Sequence, residues 1–461
     1  MMTLHALSPL DGRYRPEVLP LQGFFSEFAY LRIRTQLELE YLAALSKTGV
    51  IPSEVLSSLQ PDQIAFTDKD ALRIQEYEKA TRHDVKAIEY FLREKLPAEL
   101  HPWIHFGLTS EDINNIAQAI ALRDSRDQVL LPALDRLISS LTHFVRTYRA
   151  LPFLARTHGQ PAVPTTLGKE VVVYLARLSH YRAIIFDHKF EAKLTGAVGN
   201  FNALQVTAPQ TDWITFSKTF IQGLGLDPNL VSTQILPYDN WVRYFDTIRL
   251  INSILIGYTQ DIWRYISDGI LKQKVIEDEV GSSTMPQKVN PIDFENAEGN
   301  LGIANALLTY YGQKLPISRL QRDLSDSTVR RTFGVALGHT LLAWNNITRG
   351  MSRVDADTQK IKRELNDHWE SISEGAQTIL RAAGQSNAYE SLKSQTRGQI
   401  LNENRYRRWI ESLDVDEATR DRLLSLSPES YIGLAVQLVD GVIQSSIPED
   451  SSTDDRETEV S

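Results

Sequence analysis

From Trp241 to Ile276 the chain contains no proline, and Trp241, Phe245, Ile248, Ile251, Leu255, Tyr258, Ile262 and Ile266 recur in steps of three and four. This spacing draws one apolar stripe along a helix far longer than the usual globular mean of about 11–12 residues. Similar runs occupy residues 112–148, 166–194 and 327–350, while strand-like alternation is scarce. Long helices with short breaks predict an elongated bundle in an all-α fold. Such helices are hard to bury within one chain, so a homo-oligomer in which several copies share a core is expected.

The 461 residues suffice for two or three domains. Pro97 and Pro102 mark one boundary, and the stretch from Gly350 to Asp355 another. The expected division is an N-terminal helical domain over 1–98, a central long-helix bundle over 99–351 and a C-terminal helical domain over 352–447. The tail 448–461 has six acids and one base, so it carries −5 of a total net charge of −9 and is expected to be disordered. That charge argues against a general nucleic-acid binder. The chain has no cysteine, which excludes disulfides, thiolate metal sites and cysteine nucleophiles and fits a reducing, cytoplasmic setting. Residues 1–13 lack the pattern of a signal peptide, and no run of about 18 apolar residues predicts a membrane span.

The breaks between helices mix glycine, hydroxyl and charged residues, as functional loops on a rigid scaffold do. Gly281–Pro291 reads Gly-Ser-Ser-Thr-Met-Pro-Gln-Lys-Val-Asn-Pro. It is either a solvated connector or a mobile anion clamp carrying a proton-transfer group, with Gly299 as a second hinge. Arg156-Thr-His158-Gly-Gln-Pro161 sets a histidine in a break rather than on an apolar helical face, which favours acid–base work. Arg82-His83-Asp84 and His105–Asp112 read as helix caps and equally as anion contacts, because helix N-termini do both. Arg319, Arg322, Arg330 and Arg331 cluster in an otherwise acidic chain. They form either a solvated face paired to Asp323 and Asp326 or a phosphate or carboxylate site. No Walker A, G-x-G-x-x-G or H-E-x-x-H motif is present, and no metal or nucleotide cofactor is expected.

Gly281–Pro291 resembles the signature of the fumarase/aspartase superfamily, with eleven residues at fixed spacing. Thr109-Ser110 and Thr157–Pro161 match two further superfamily regions in the expected order. Finer matches at Ser8–Tyr14, His83–Leu92, Thr109–Asn115, Pro291–Asn296 and Gln321–Thr328 resemble adenylosuccinate lyases of the long bacterial type. Two positions depart from that pattern. Gln287 stands where histidine is usual, as it does in argininosuccinate lyases, and Arg82 stands where close relatives carry asparagine. The resemblance implies a three-domain helical subunit in a homotetramer around a core of about 20 helices, each active site being built from three subunits.

The implied reaction is β-elimination of fumarate from succinylated purine nucleotides, adenylosuccinate and SAICAR, with no cofactor. The alternatives are another fumarate-releasing lyase such as argininosuccinate lyase, or a non-catalytic structural homologue of the lens-crystallin kind. By the family's pattern Ser282 is the general base and His158 the general acid. Arg13, Tyr14, Arg322, Ser327 and Arg331 are implied contacts on the phosphate and nucleotide side. Thr109, Ser110, Gln234, Lys288 and Asn290 are implied contacts to the succinyl group. Arg82, His83, Asp84, Asn296, Thr328 and Arg330 complete the implied binding set, and His105 supports it.

Overall fold

The computed structural model describes residues 4–52, 55, 65–274, 285, 288–387, 390 and 401–446. The proposed base Ser282, most of its loop, Gln287 and the acidic tail lie outside the described residues. The principal helices are α1 (Glu27–Ser46), α2 (Asp68–Thr81), α3 (Asp84–Lys95), α4 (Ser110–Ser125), α5 (Leu131–Thr147), α6 (Leu167–Asp187), α7 (Asp239–Ser267), α8 (Ile292–Lys314), α9 (Ser325–Arg330), α10 (Phe333–Met351) and α11 (Thr358–Asn366). The described strands form small two-stranded sheets. These pair β1 (Pro152–Thr157) with β2 (Gln160–Thr166), β3 (Glu191–Ala192) with β4 (Asp227–Pro228), and β5 (Leu271–Gln273) with β6 (Val354–Ala356).

The all-α expectation holds, with local departures that have physical causes. The run over 112–148 is interrupted at Arg126–Leu130, where the Leu131 N–H bonds the Arg126 carbonyl five residues back. Pro132 supplies no N–H for the helical ladder and its ring crowds the preceding turn, so the helix widens there by one residue. The run from Trp241 stops at Ser267, and Gly269, at φ 68°, turns the chain into β5. The segment around His158 is a β-hairpin rather than an irregular break.

The chain divides into two compact units: Met1–Leu134, Tyr181–Ser253 and Gly299–Trp344 make up the first, and Asp135–His180, Ile254–Glu298 and Asn345–Ser461 the second. In the first, Leu31, Leu39, Ile74, Ile88, Phe91 and Ile104 join α1, α2 and α3 in one apolar cluster. Each such side chain contributes about 1.5–3 kcal/mol on burial. A second nest stacks Phe245, Tyr311 and Phe333 with ring centroids 4.7–5.2 Å apart, and Trp241 meets Phe333 at 6.3 Å. Buried Asn252 is satisfied within it, donating to Thr340 Oγ1 and accepting from Trp344 Nε1, each at 3.0 Å. In the second unit, Trp369, Ile372, Leu380, Tyr406, Trp409 and Leu423 form a separate core.

Candidate active site

The first unit carries an open cavity of about 700 Å³. Three helix termini, one loop and the short helix α9 with its flanking residues build its wall. At the end of α2 the Arg82 backbone turns left-handed, φ 55°, while its N–H bonds the Glu78 carbonyl at 2.7 Å. The next residue, His83, is extended and caps α3, its Nδ1 accepting the Lys86 N–H at 3.2 Å. This corner turns Arg82, His83 and Asp84 onto the cavity. Asp84 is tied to the buried Arg34 guanidinium at 2.8 Å. Burial alone would raise the Asp84 pKa, but the charge and hydrogen bond of Arg34 outweigh it and hold the carboxyl below its ordinary value.

Thr109 caps α4, where its N–H donates to Asp112 Oδ2 at 3.0 Å, and Ser110 opens the helix. The other Asp112 oxygen accepts the N–H groups of Thr195 and Gly196 at 3.1 and 3.3 Å and the Lys193 ammonium at 2.9 Å. Asn115 grips both backbone groups of Lys193, at 2.8 and 3.0 Å. The 193–200 loop is thereby fixed to the α4 N-terminus, and Gln234 joins it through a 3.0 Å bond to the Ala197 carbonyl. At Gly199, φ 79°, an added Cβ would lie 2.0 Å from the Ser232 carbonyl oxygen, so the turn requires glycine.

The cationic wall comes from α9 and the residues flanking it. Arg322, Ser327, Thr328 and Arg331 line the cavity, and Arg331 Nη1 donates to Ser327 Oγ at 2.7 Å. Ten of the expected substrate contacts are thus brought together: Arg82, His83, Asp84, Thr109, Ser110, Gln234, Arg322, Ser327, Thr328 and Arg331. Arg330 is placed differently. It is buried behind the wall, bonded to Glu111, Asp326 and Gln118, so its guanidinium faces protein carboxylates rather than the cavity. Arg330 is thus paired to Asp326 as in the paired-face reading, but buried rather than solvated, while Arg322 and Arg331 line the cavity.

Arg13 and Tyr14 lie elsewhere in this unit, where Tyr14 packs against Leu10, Val18 and Leu342, and the Arg13 guanidinium stands 6.0 Å from its ring. His105 is largely buried and pairs with Glu38, Nδ1 to Oε1, at 2.6 Å. Burial depresses the His105 pKa, but the Glu38 charge and hydrogen bond more than reverse this and raise it. A histidine with a raised folded pKa contributes full stability below its ordinary value of 6.5 and loses it as pH rises through the folded value. Glu38→Gln is expected to lower the melting temperature more at about pH 6 than at about pH 9. An equal loss at both, in thermal melts, would contradict the pairing.

Among the cavity-lining residues, Glu78, Glu111, Asn114 and Leu324 are not among those expected from the sequence. The available signal was helical spacing: Glu111 and Asn114 are three apart in the first turns of a helix opening at Thr109-Ser110.

In the second unit, β1 and β2 join through His158 and Gly159. Both have positive φ, 53° and 74°, the signature of a two-residue type I′ turn. His158 is therefore presented exposed at a hairpin tip. Arg156, on β1, forms an ion pair with Glu364 of α11, which anchors the hairpin. Lys288 and Asn290 lie just ahead of α8, with Lys288 exposed. Asn296, on α8, accepts a hydrogen bond from Asn346. Among the described residues no group of three or more His, Asp or Glu side chains is arranged to hold a metal ion, and no helix is long and apolar enough to cross a membrane.

Residues 12–304 match the family described as Lyase, and residues 318–432 match the family described as Adenylosuccinate lyase C-terminal. The chain is 44% identical to the adenylosuccinate lyase of Haemophilus influenzae over 451 residues, covering 95% of this chain and 99% of that one. It is 42% identical to the adenylosuccinate lyase of Escherichia coli K12, with the same coverage. Against the adenylosuccinate lyase of Dictyostelium discoideum identity is also 42%, covering 94% and 97%. Among solved structures, the 3-carboxy-cis,cis-muconate lactonizing enzyme of Pseudomonas putida superposes with a TM-score of 0.75 at 20% identity, covering 93% and 97%. A fumarate lyase from Mesorhizobium gives the same TM-score at 16% identity, covering 92% and 97%. Those two establish a shared fold; the end-to-end identity with the enzymes of the other three organisms, reinforced by the match at the C-terminal segment, establishes that the chain belongs to the adenylosuccinate lyase family.

Proposed function

We propose that this chain eliminates fumarate from adenylosuccinate, leaving AMP, and from SAICAR, leaving AICAR. The observation that carries the reading is the polar cavity in which Arg82, Arg322 and Arg331 converge with the N-terminus of α4. Two of its acids, Asp84 and Glu111, are each already bonded to arginine. Such a wall suits a ligand carrying a phosphate and two carboxylates, because forked guanidiniums and helix N–H groups match oxyanions.

The chemistry removes a proton from the carbon next to a carboxylate. The C–H electron pair builds up on that carboxylate as an aci-carboxylate, then forms the C=C bond as the C–N bond breaks. The leaving nitrogen keeps the C–N pair and takes a proton. Three things are required: a base at the carbon, preorganised positive charge on the carboxylate, and an acid at the nitrogen. Ser282 is the base and His158 the acid in this reading, with Lys288 and Asn290 beside the succinyl group. Thr109, Ser110 and Gln234 hold that group, and Arg322, Ser327 and Arg331 hold the phosphate side. Arg13 and Tyr14 complete the phosphate side by family pattern.

The active form is a cytoplasmic homotetramer with each site assembled from three subunits. Exposed apolar side chains on long helices, including Leu250, Trp263, Ile303 and Tyr310, support such burial between copies. An absorbance assay of purified protein with adenylosuccinate tests the activity. Release of fumarate is expected, with no turnover of argininosuccinate; the reverse pattern would overturn the reading.

A further inference from the structure

Glu111 presents an apparent contradiction. It stands in the wall of a cavity suited to anions, and its carboxylate has no exposure to solvent. Burial would raise its pKa, but the charges of Arg330 and Arg322 hold it below the ordinary value, so it is a carboxylate. Arg330 takes it as a fork, Nη1 to Oε1 at 2.8 Å and Nη2 to Oε2 at 3.1 Å. Asp326 and Gln118 lock that guanidinium from other sides, at 3.1 and 2.7 Å. The Tyr238 hydroxyl lies 3.0 Å from both Glu111 Oε1 and Asp326 Oδ2. Glu111 is therefore held at both carboxylate oxygens. Its second oxygen also accepts from Arg322 Nη1 at 2.7 Å, and no other described residue bonds the Arg322 guanidinium. Arg322 is partly exposed, and it lines the cavity.

We infer that Glu111 is a positioning residue, whose locked carboxylate holds one edge of the Arg322 guanidinium so that its remaining N–H donors face an anionic group of the substrate. The inference rests on the reading of this cavity as the site for the succinylated nucleotide. It runs against simple electrostatics, in which deleting a negative charge from the wall would tighten the binding of an anion. An arginine held at one edge loses less freedom on binding, which is the advantage of preorganisation.

The test compares wild type, Glu111→Gln, Glu111→Asp, Arg322→Ala and the Glu111→Asp/Arg322→Ala double variant, reading KM and kcat separately with adenylosuccinate. Glu111→Gln is expected to raise KM by about tenfold or more, since it deletes a charged hydrogen bond. Because Glu111→Gln also strands the buried Arg330 and can unfold the chain, Glu111→Asp is the decisive variant. It keeps the charge that Arg330 needs but draws the carboxylate back from Arg322. It is expected to raise KM severalfold with kcat little changed, and to add nothing once Arg322 is alanine. A wild-type KM in Glu111→Asp, a lowered KM in Glu111→Gln, or effects of Glu111→Asp and Arg322→Ala that multiply would overturn the inference. Wild-type protein without turnover of adenylosuccinate would instead overturn the functional reading.

Discussion

Ser282→Ala is expected to reduce turnover by about 10²- to 10⁴-fold while leaving assembly and nucleotide binding largely intact, the range that positioned acid–base groups contribute. Alanine removes the side-chain oxygen that, in the proposed mechanism, takes the proton from carbon, and changes little else in size. His158→Gln is expected to fall in the same range, since glutamine keeps a hydrogen-bond donor but cannot release a proton to the leaving nitrogen. Its hairpin should survive, because the two-residue turn and the Arg156–Glu364 anchor do not involve the imidazole. Steady-state kinetics beside a nucleotide-binding titration separates the two effects. Near-normal kcat in either variant would remove that residue from its assigned role.

Asp112→Ala is expected to cost about 3–5 kcal/mol of stability, the usual consequence of breaking a buried ion pair from one side. The Lys193 ammonium and the Asp112 carboxylate are both without solvent exposure, 2.9 Å apart. Removing the acid strands that cation, along with the N–H groups of Thr109, Thr195 and Gly196. Denaturant unfolding of the variant should show the unfolding free energy extrapolated to water fall by that amount. A loss under about 1 kcal/mol, the scale of a surface pair, would mean that the cluster is more hydrated than its geometry implies. Activity should fall as well, because the same carboxylate joins the α4 N-terminus to the loop bonded by Gln234.

These two predictions draw on different levels of information. Ser282 and His158 were legible as candidates from local sequence, because their chemistry depends on residue type within a short segment. Asp112 was legible only as part of a segment that caps a helix or contacts an anion. Its partner Lys193 lies in a different part of the chain, and nothing local to either residue announces a buried pair. The hairpin at His158 was missed for a local reason. Pro152, Pro161 and Pro164 have no N–H to give a sheet ladder, yet a two-stranded ribbon leaves edges where a missing N–H is tolerated. The turn is His-Gly rather than the Asn-Gly or Asp-Gly that usually marks a type I′ turn.

The arginine cluster shows the same division. Sequence alone determined that four arginines stand between 319 and 331, that long amphipathic helices make up the chain, and that the 281–291 segment carries a fumarate-eliminating signature. Helical periodicity and short motifs are local properties, so a reading along the chain captures them. Only the tertiary structure decided that Arg322 and Arg331 face the cavity while Arg330 turns away to Glu111, 219 positions distant. That choice depends on which carboxylate the fold brings within hydrogen-bonding reach in a buried setting, where an unpaired guanidinium would be too costly to keep.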